Sequence, residues 1–281
     1  MIFLWHKNMA QTAQKIRAET GEFPIVKKEK WHDFYLFGFE SSHITENAHP
    51  GQFLMVRISS QSHPLLRRPF SIHSIEGNIT EIFFKESGFG TKLLSQKRIG
   101  DKIDIFGPLG KGFDLNKDLF QKKIALVGGG RGVAPLYFLA CRLKDLSADI
   151  ILYYGGKTAD ELPLRKKFKQ ISIKTLCSTD DGSLEFKGLV TELLERNITQ
   201  ETPDHIFACG PDPMMEKTAK IAAQQGIPAQ FSLESLMGCG FGVCWGCVKK
   251  IKKDNQPAWI KICEEGPVFP KESILWDSEE R

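Results

Sequence analysis

Four cysteines near the end of the chain have the spacing of a metal-binding set. Cys239, Cys244 and Cys247 lie within nine residues, and fifteen residues separate Cys247 from Cys263. The pattern C-x4-C-x2-C-x15-C is typical of plant-type [2Fe–2S] sites, in which a tight loop supplies three thiolates and another segment supplies the fourth. Glycines between the cysteines let such a loop fold back sharply. These residues predict a [2Fe–2S] centre.

A structural zinc site is the competing interpretation of the same cysteines. Zinc sites with four cysteine ligands usually have two C-x2-C arms. This chain has one such arm and the lone Cys263, so the spacing favours iron and sulfide over zinc. No pair of histidines has ligand spacing, and no Ser/His/Asp set or carboxylate pair stands out. The chemistry therefore depends on bound groups rather than on an acid and a base.

Composition limits the possible partners and locations. The 281 residues allow two domains and a small appendage, and the net charge of +4 is too small and too dispersed to favour nucleic acid. Seven cysteines, an odd number, leave Cys141, Cys177 and Cys209 as free thiols, which fits a reducing compartment. Met1–Trp5 is too short for a signal-peptide core, and no apolar run has the length of a membrane span. We expect a cytoplasmic protein with no membrane segment.

The first half of the chain has a series of short β segments separated by turn residues, which predicts a small antiparallel barrel. Residues 1–20 form an extension, expected to be a tail or a short helix around Ala10–Arg17, and the barrel domain covers residues 21–115. Its one expected helical stretch is Thr91–Lys97. The predicted strands are Phe23–Lys28, Asp33–Phe39, Gln52–Ile58, Phe70–His73, Asn78–Lys85 and Lys102–Phe106.

Strands alternate with helices over residues 116–230, which predicts βαβ units and a parallel sheet. The alternation stops near Phe231, and residues 231–281 are expected to form a small cluster-binding segment. The predicted strands are Lys123–Val127, Asp149–Tyr154, Ser172–Ser178 and His205–Cys209, and the predicted helices are Leu136–Lys144, Leu189–Arg196 and Pro213–Gln225.

Within the barrel, the stretch from Arg67 to His73 could serve one long ligand. An arginine can hold a pyrophosphate, an aromatic side chain can pack on an apolar ring system, and a serine can donate or accept a hydrogen bond. The stretch Ser87–Lys92 opens the expected helix, and glycines at a helix N-terminus form an anion site. The alternative is an ordinary strand start followed by an ordinary helix start.

These residues resemble the ferredoxin-reductase-like flavoprotein superfamily, whose barrel binds FAD through an R-x-[YF]-[ST] motif. The resemblance implies that Arg68 contacts the FAD pyrophosphate and that Ser71 lies near the isoalloxazine. It further implies that Phe83, Phe84 and Lys85 lie along the flavin and that Gly90 and Thr91 lie at the phosphates. The FAD residues implied in this way are Arg68, Pro69, Phe70, Ser71, Phe83, Phe84, Lys85, Gly90 and Thr91.

The stretch from Gly128 to Pro135 follows a predicted strand and resembles a dinucleotide fingerprint, although the strict G-x-G-x-x-G rule fails. The superfamily form G-G-G-x-G-x-x-P faces the nicotinamide nucleotide, and a Cys-Gly-Pro turn lies beside the nicotinamide ring. The resemblance therefore implies a nucleotide site formed by Gly128, Gly129, Gly130, Gly132, Cys209 and Gly210.

The stretch from Ser178 to Gly182 has two interpretations. It is either a simple turn or an acidic contact to an adenosine ribose, and the second would favour NAD over NADP. Lys157 argues in the opposite direction, because its positive charge suits a 2′-phosphate.

Barrel, nucleotide domain and cluster segment occur in the order found in one family, the electron transfer subunits of NAD-dependent dihydroorotate dehydrogenase. The motifs that carry this resemblance span residues 21 to 281 and include Arg68–Ser71, Asp180–Ser183, Ser232–Glu234 and the cysteine set. It implies a partner subunit that carries FMN and oxidises dihydroorotate, with electrons passing singly through the cluster to FAD and as a hydride to NAD. The basic stretch Lys249–Lys253 would suit an acidic redox partner.

Two alternatives remain open at this point. The chain could be the small subunit of a related NAD(P)H:ferredoxin oxidoreductase, a sulfide dehydrogenase or a hydrogenase, because these share the same motif order. More distantly, it could be a zinc-binding module without redox chemistry.

Overall fold

The computed structural model describes residues 18–59 and 63–276. The N-terminal part is a closed barrel with the strand order β1-β2-β5-β4-β3-β6, in which every neighbouring pair is antiparallel. Aromatic and branched side chains such as Phe37, Leu54 and Ile82 alternate inward and fill it. The strands are β1 (Glu19–Trp31), β2 (Phe34–Glu40), β3 (Phe53–Arg57), β4 (Arg68–Glu76), β5 (Ile79–Lys85) and β6 (Lys102–Leu109).

The second part is a seven-stranded sheet that begins with a parallel βαβ arrangement. Its strand order is β10-β9-β8-β7-β11-β12-β15, and only the β12–β15 pairing is antiparallel. The strands are β7 (Lys123–Gly129), β8 (Asp149–Gly156), β9 (Lys174–Thr179), β10 (Phe186–Lys187), β11 (His205–Cys209), β12 (Ala229–Ser232) and β15 (Val268–Pro270). A separate hairpin consists of β13 (Val248–Lys253) and β14 (Gln256–Lys261).

Seven α-helices occur within the described residues. The amphipathic helices of the second part cover both faces of the sheet, as parallel sheets require. The helices are α1 (Ser42–Asn47), α2 (Phe89–Gln96), α3 (Ala134–Asp145), α4 (Arg165–Gln170), α5 (Val190–Ile198), α6 (Asp212–Gln224) and α7 (Ile262–Glu265).

The architecture confirms the predicted barrel followed by a parallel nucleotide-binding sheet. One detail of the prediction is wrong. The barrel has a second helix, α1, whose N-cap Ser41 accepts a hydrogen bond from the Ile44 amide at 3.3 Å. Two strands of the sheet were not predicted: Phe231, near which the alternation was expected to stop, lies inside β12, and β15 of the cluster segment pairs with β12. The expected helix around Ala10–Arg17 lies outside the described residues.

The pairing of β15 with β12 matters for the site. Phe231 pairs with Phe269, and Ser232 pairs with Val268. The cluster segment is thereby anchored on the nucleotide sheet, while its cysteines lie between this anchor and the hairpin of β13 and β14. Its buried residues Cys247, Ile262 and Cys263 belong to one hydrophobic core with Phe53 and Met55 of the barrel. All three parts of the chain therefore meet at one place.

Candidate functional site

The cysteine loop, residues 238–248, brings the predicted sulfur ligands close together. The Sγ atoms of Cys247 and Cys263 are 3.2 Å apart. The amide of Cys244 donates to Cys239 Sγ at 3.4 Å, and the amide of Gly242 donates to Cys263 Sγ at 3.1 Å. The loop thus directs its backbone N–H groups at sulfur, as a loop that stabilises thiolates does.

Two glycines of this loop have conformations and neighbours that require glycine. Gly240 has φ +84° and Gly242 has φ +86°. A Cβ on Gly240 would overlap the side chain of Met55, and a Cβ on Gly242 would lie 2.5 Å from Glu264 Oε2. The loop therefore turns tightly and lies directly on the barrel.

The sulfur atoms have unequal surroundings. Cys247 and Cys263 are buried, whereas Cys239 is partly exposed and Cys244 is exposed. Burial opposes ionisation of Cys239, but hydrogen bonds, the first from the Cys244 amide, outweigh it and lower the pKa of this thiol to about 6. Burial and the neighbouring Cys247 raise the pKa of Cys263 to about 12. The set thus has an outer, ionisable side and an inner, desolvated side.

The cysteines do not form a preformed site for a single metal ion in this structure. Across residues 18–59 and 63–276, no group of three or more His, Cys, Asp or Glu side chains has the geometry to hold one ion. The closest contact between two sulfurs joins Cys247 to Cys263, and the amide contact joins Cys244 to Cys239. The donor set thus contains one close sulfur pair, Cys247 with Cys263, and two further thiols, Cys239 and Cys244, that are linked through a backbone amide.

The cysteine loop contacts the barrel beside the predicted FAD motif. Phe241 packs on Phe106 of β6 with 5.7 Å between ring centroids. Gly240 lies on Met55 of β3, and Met55 is the strand partner of Pro69 in β4. The motif strand and the cysteine loop are therefore separated by a single strand, which amounts to about 5 Å between neighbouring backbones.

Arg67, directly before the motif, and Arg68, its first residue, make different contacts. Arg67 makes a bidentate ion pair with Asp104, at 2.7 and 3.0 Å, and is held in the barrel wall. The Arg68 guanidinium instead lies beside α2, with Nε 3.5 Å from the place where a Cβ of Gly90 would sit. Arg68 Nη1 donates a hydrogen bond to the Leu66 carbonyl at 2.8 Å. The guanidinium and the start of α2 together form a cationic corner of the kind that suits an anion.

Thr91 has a local role in this corner. Its Oγ1 accepts hydrogen bonds from the amides of Ser87 at 2.9 Å and Gly88 at 3.1 Å, and it donates to the Gly88 carbonyl at 3.0 Å. The hydroxyl is therefore the N3 partner of a capping box, and it fixes the two residues that lead into α2. The lack of a side chain at Gly90 leaves space beside Arg68.

The aromatic residues of the predicted FAD set are buried in the hydrophobic cores of the protein. Phe70 and Phe84 are buried in the barrel, with 5.6 Å between their ring centroids. Phe83 faces the nucleotide domain and stacks on Phe34 at 5.5 Å. The Phe70 ring fills the barrel core, which does not support the expectation that this ring packs on a flavin. Ser71, on the opposite face of β4, is partly exposed.

Lys85 joins the two domains. Its Nζ lies 2.9 Å from Glu161 Oε1 in the nucleotide domain and 3.4 Å from Asp33 Oδ2 in the barrel. The hydrogen bond to Glu161 is the largest of the effects that raise the pKa of Lys85. The structure thus gives this residue an ion-pairing role at the seam between the domains.

The glycine turn, residues 128–132, meets the Cys-Gly-Pro turn at one edge of the sheet. A Cβ on Gly132 would lie 2.5 Å from the Cys209 carbonyl oxygen and 2.6 Å from Gly210 Cα. A Cβ on Gly129 would lie 2.7 Å from Met214 Sδ, and Gly130 has φ +53°. Strands β7 and β11 are neighbours at the point where the strand order reverses, which is where open α/β sheets bind ligands.

Cys209 is too buried to act as an ionised thiol. It is 2% exposed, and burial raises its pKa well above the ordinary value. Its backbone, rather than its sulfur, faces Gly132. Gly128 packs on Val133, whose side chain lies 3.2 Å from the place where a Cβ of Gly128 would sit, and this close contact helps the turn enter α3.

Sequence reasoning missed the buried contact that holds barrel and nucleotide domain together. His73 of β4 is fully buried, its Nδ1 lies 2.8 Å from the Ala134 carbonyl oxygen, and its ring stacks on Tyr137 at 4.9 Å. Burial lowers the pKa of His73 to about 4, so the ring is neutral at pH 7 and Nδ1 donates to the carbonyl. A single histidine in a strand carries no sequence signal for such a contact.

A second missed contact joins the glycine turn to the cluster segment. Arg131 Nη2 lies 3.6 Å from Glu234 Oε2, and both side chains are about half exposed. Arg131 therefore points along the turn to the cluster segment.

No helix within the described ranges is long and apolar enough to cross a membrane.

Comparison with known proteins agrees with this arrangement. Residues 234–275 match the iron–sulfur cluster binding domain of dihydroorotate dehydrogenase B, and residues 126–220 match the oxidoreductase NAD-binding domain. The chain is 38% identical over 245 residues to the dihydroorotate dehydrogenase B (NAD(+)) electron transfer subunit of Desulforamulus reducens, which covers 86% of this chain and 93% of the relative. The corresponding subunit of a Geobacillus species is 39% identical over 239 residues, covering 84% and 90%.

A solved structure is also similar along almost the whole chain. It is that of an NADH-dependent reduced ferredoxin-NADP oxidoreductase, with 32% identity, a TM-score of 0.80 and coverage of 92% of this chain and 91% of the other. A ferredoxin reductase of carbazole 1,9a-dioxygenase, at 19% identity and a TM-score of 0.66, shares the fold. Since the two bacterial relatives are the same kind of subunit and are covered over most of their length, this chain belongs to the family of electron transfer subunits of NAD-dependent dihydroorotate dehydrogenase B.

Proposed function

We propose that this chain passes electrons from an FMN-containing dihydroorotate dehydrogenase subunit to NAD through a [2Fe–2S] cluster and FAD. The observation that carries the proposal is the packing of the cysteine loop on Met55, the strand partner of Pro69 in the FAD motif. Electron transfer between two bound groups needs short separations, and this contact supplies one. The glycine turn and the Cys-Gly-Pro turn then supply the nucleotide site at the neighbouring sheet edge.

The sulfur donors suit a cluster with two irons. Cys247 and Cys263 would hold the inner iron, and Cys239 and Cys244 would hold the outer one, since two thiolates per iron complete such a centre. The short Cys247–Cys263 separation of 3.2 Å and the amides directed at sulfur support this assignment. A zinc module would instead need four sulfurs around one ion.

The outer side of the cysteine loop has the character of a docking surface for the catalytic subunit. Val243 of this loop is 68% exposed and two aromatic rings of the loop are more than half exposed, and Leu236, two residues before the loop, is 89% exposed. A group of exposed apolar side chains in one short segment marks an interaction surface. Val243 is the sequence neighbour of the exposed Cys244, where an electron would enter. The aromatic members of this surface are Phe241 and Trp245.

The chain's own residues bind and orient rather than transfer protons. Arg68 and the first turn of α2 would neutralise the FAD pyrophosphate, and the glycine turn would let a nucleotide phosphate approach the backbone. When bound, the cluster supplies one-electron chemistry and the flavin converts it to two-electron chemistry with NAD. The buried, neutral Cys209 and His73 keep the surroundings apolar.

Purification of this chain together with its candidate FMN subunit tests the proposal. We expect a stable complex that reduces NAD with dihydroorotate and shows flavin and iron–sulfur absorption after anaerobic purification. A colourless complex that contains zinc would contradict the redox assignment. Cytoplasmic location remains a prediction from the sequence.

Substitution of one cluster ligand separates the cluster from the flavin. In Cys244→Ser we expect loss of the iron–sulfur signal with FAD still bound, because the FAD motif lies on another strand. Cys141→Ser is the matched control, since Cys141 lies in α3, outside the cysteine loop, and should leave both signals unchanged. An unaltered spectrum in Cys244→Ser would contradict the ligand assignment.

A related relay is the second candidate. The similarity to the NADH-dependent reduced ferredoxin-NADP oxidoreductase favours it over a sulfide dehydrogenase or a hydrogenase subunit. A complex that reduces ferredoxin but leaves dihydroorotate untouched would support this candidate and contradict the first.

A further inference from the structure

The acidic loop after β9 lies at the same sheet edge as the glycine turn. Gly129 pairs with Gly155 of β8, and Gly155 pairs with Ser178 of β9, so the three strand ends form one row. Two strand spacings, about 10 Å, separate the first strand end from the third. A dinucleotide whose pyrophosphate lies at the glycine turn can therefore place its adenosine over the ends of β8 and β9.

The loops after β8 and β9 are joined by backbone hydrogen bonds. The amide of Asp180 donates to the Gly156 carbonyl at 3.1 Å, and the amide of Asp181 donates to the Lys157 carbonyl at 3.2 Å. This pairing extends the sheet by two residues beyond its last regular position. The two aspartates therefore have fixed backbones, and their side chains differ only in what they contact.

The Asp181 side chain holds the loop through hydrogen bonds. Its Oδ1 accepts hydrogen bonds from the Ser183 amide at 2.9 Å and the Ser183 hydroxyl at 2.7 Å. Ser183 Oγ in turn accepts a hydrogen bond from the Ala159 amide at 2.8 Å. Asp181 thus clamps the two loops together, and the hydrogen bonds from Ser183 lower its pKa.

The Asp180 side chain, in contrast, does not hold the loop. It is exposed, and its carboxylate has no hydrogen-bond or ion-pair partner in the part of the chain that the structure describes. It extends from a fixed backbone at the edge where the adenosine would lie. A free carboxylate in that place can accept hydrogen bonds from both ribose hydroxyls.

Lys157 does not offset this carboxylate in favour of a phosphate. Glu161 lies beside it, and its carboxylate accepts a hydrogen bond from the Lys157 amide at 3.1 Å. Burial raises the pKa of Glu161, but the hydrogen bonds from Lys85 and the Lys157 amide outweigh burial and lower it. Asp160 and Asp180 add further negative charge around the same loops. Lys187, whose side chain packs on Gly182, is a second positive group at these loops. A 2′-phosphate would therefore meet the three carboxylates of Asp160, Glu161 and Asp180 against two lysines.

We infer that Asp180 is the residue that selects NAD over NADP, by binding the adenosine ribose hydroxyls and repelling a 2′-phosphate. Asp181, its neighbour, acts only on the shape of the loop. The inference rests on the proposed function only in placing a nicotinamide nucleotide at this sheet edge.

Calorimetric titration of the purified two-subunit complex tests the inference with ADP-ribose and 2′-phospho-ADP-ribose as probes. Neither probe requires a working cluster or flavin. We expect the wild-type complex to bind ADP-ribose more tightly. In Asp180→Asn and Asp180→Ser the preference should shrink about 10- to 100-fold, the range of a hydrogen bond to a charged group. The kcat/KM ratio for NADH against NADPH in reduction of an artificial acceptor should shift in the same direction.

Asp181→Asn is the matched control. It weakens the clamp and should change both affinities by a similar factor, leaving their ratio intact. An unchanged ratio in both Asp180 variants, or a larger change of the ratio in Asp181→Asn, overturns the inference while the proposed function stands. A wild-type complex that binds neither probe overturns the nucleotide site itself and the inference with it.

Discussion

The cysteine loop and the glycine turn are both rich in glycine, but their glycines meet different neighbours. At Gly132, an added Cβ would strike the backbone of Cys209 and Gly210, which are fixed in a parallel sheet. At Gly240, it would strike the side chain of Met55, which is flexible. Around Gly132 the nucleotide end is thus shaped by rigid backbone, whereas around Gly240 the cluster end is shaped by a side chain.

This difference fits the different ligands of the nucleotide site and the cysteine loop. Backbone amides in a sheet hold a substrate that must arrive and leave without changing the protein. Thiolates on a loop hold a resident group that is assembled once and then faces a partner. We therefore expect acid, added volume and lost charge to affect the two ends unequally.

Acid should have the largest effect, and it should act on the nucleotide side. His73 hydrogen-bonds to Ala134, directly after the glycine turn, and its pKa is lowered by burial from 6.5 to about 4. Because the folded state holds the ring neutral, its contribution to stability is complete above pH 6.5 and is lost as the pH falls towards 4, amounting to about 3 kcal/mol at pH 4. Urea unfolding at pH 7 and at about pH 4.5 measures the loss.

The charged groups around this histidine are few. Glu81 favours protonation of His73, whereas Lys27 and Lys167 oppose it. His73→Gln should reduce the difference in unfolding free energy between the two pH values. His32→Gln, at an exposed position, should retain the wild-type difference. Equal pH dependence in both variants would assign the acid sensitivity to other groups.

Added volume at the glycine turn should have the next largest effect. Gly132→Ala places a methyl group 2.5 Å from a backbone oxygen that cannot move freely, and we expect a loss of about 2 kcal/mol in unfolding free energy together with weaker ADP-ribose binding. Gly130→Ala is the matched control, because nothing lies within 4 Å of its Cβ position. It should lose about 1 kcal/mol, from its positive φ alone. Similar losses would mean that the turn is less rigid than its contacts indicate.

The regions also differ in how well the sequence predicted them. The cluster-binding segment was predicted from a run of local cysteine spacings, and the match to an iron–sulfur cluster binding domain over residues 234–275 confirms it, while the ligand role of each cysteine stays a prediction. The anchor of that segment was not predicted, because β15 has three residues and pairs with β12, far away in sequence. Short strands with distant partners have too little periodicity to be recognised.

Strand β4, which carries the motif Arg68–Ser71, was predicted in part. The motif Arg68–Ser71 was recognisable, but the direction of each side chain depends on register. Phe70 and Ile72 point into the barrel, whereas His73 points to α3. A shift of one residue in β4 would exchange these faces, and the register follows from its pairing with β3 and β5. No single-strand pattern contains that information.

Loss of charge on the barrel should have a smaller and more specific effect. Arg68→Ala removes the guanidinium beside Gly90, and we expect FAD affinity to fall about 10-fold, the lower end for a charged hydrogen bond. Arg67→Ala breaks the ion pair with Asp104 instead and should lower the melting temperature while FAD affinity is retained. Fluorescence titration of FAD into apoprotein measures the first effect. An exchange of the two outcomes would assign the pyrophosphate to Arg67.

The smallest effect on stability should come from added volume in the cysteine loop. Gly240→Ala meets the Met55 side chain and has φ +84°, so we expect a loss of about 1 kcal/mol from the backbone conformation, with Met55 adjusting to the methyl group. Because Met55 lies between the cysteine loop and Pro69, this adjustment should change the absorption or the reduction potential of the cluster more than it changes unfolding. Redox titration alongside urea unfolding measures both quantities. A Gly240→Ala variant that loses as much stability as Gly132→Ala would remove the contrast between a rigid nucleotide end and an adaptable cluster end.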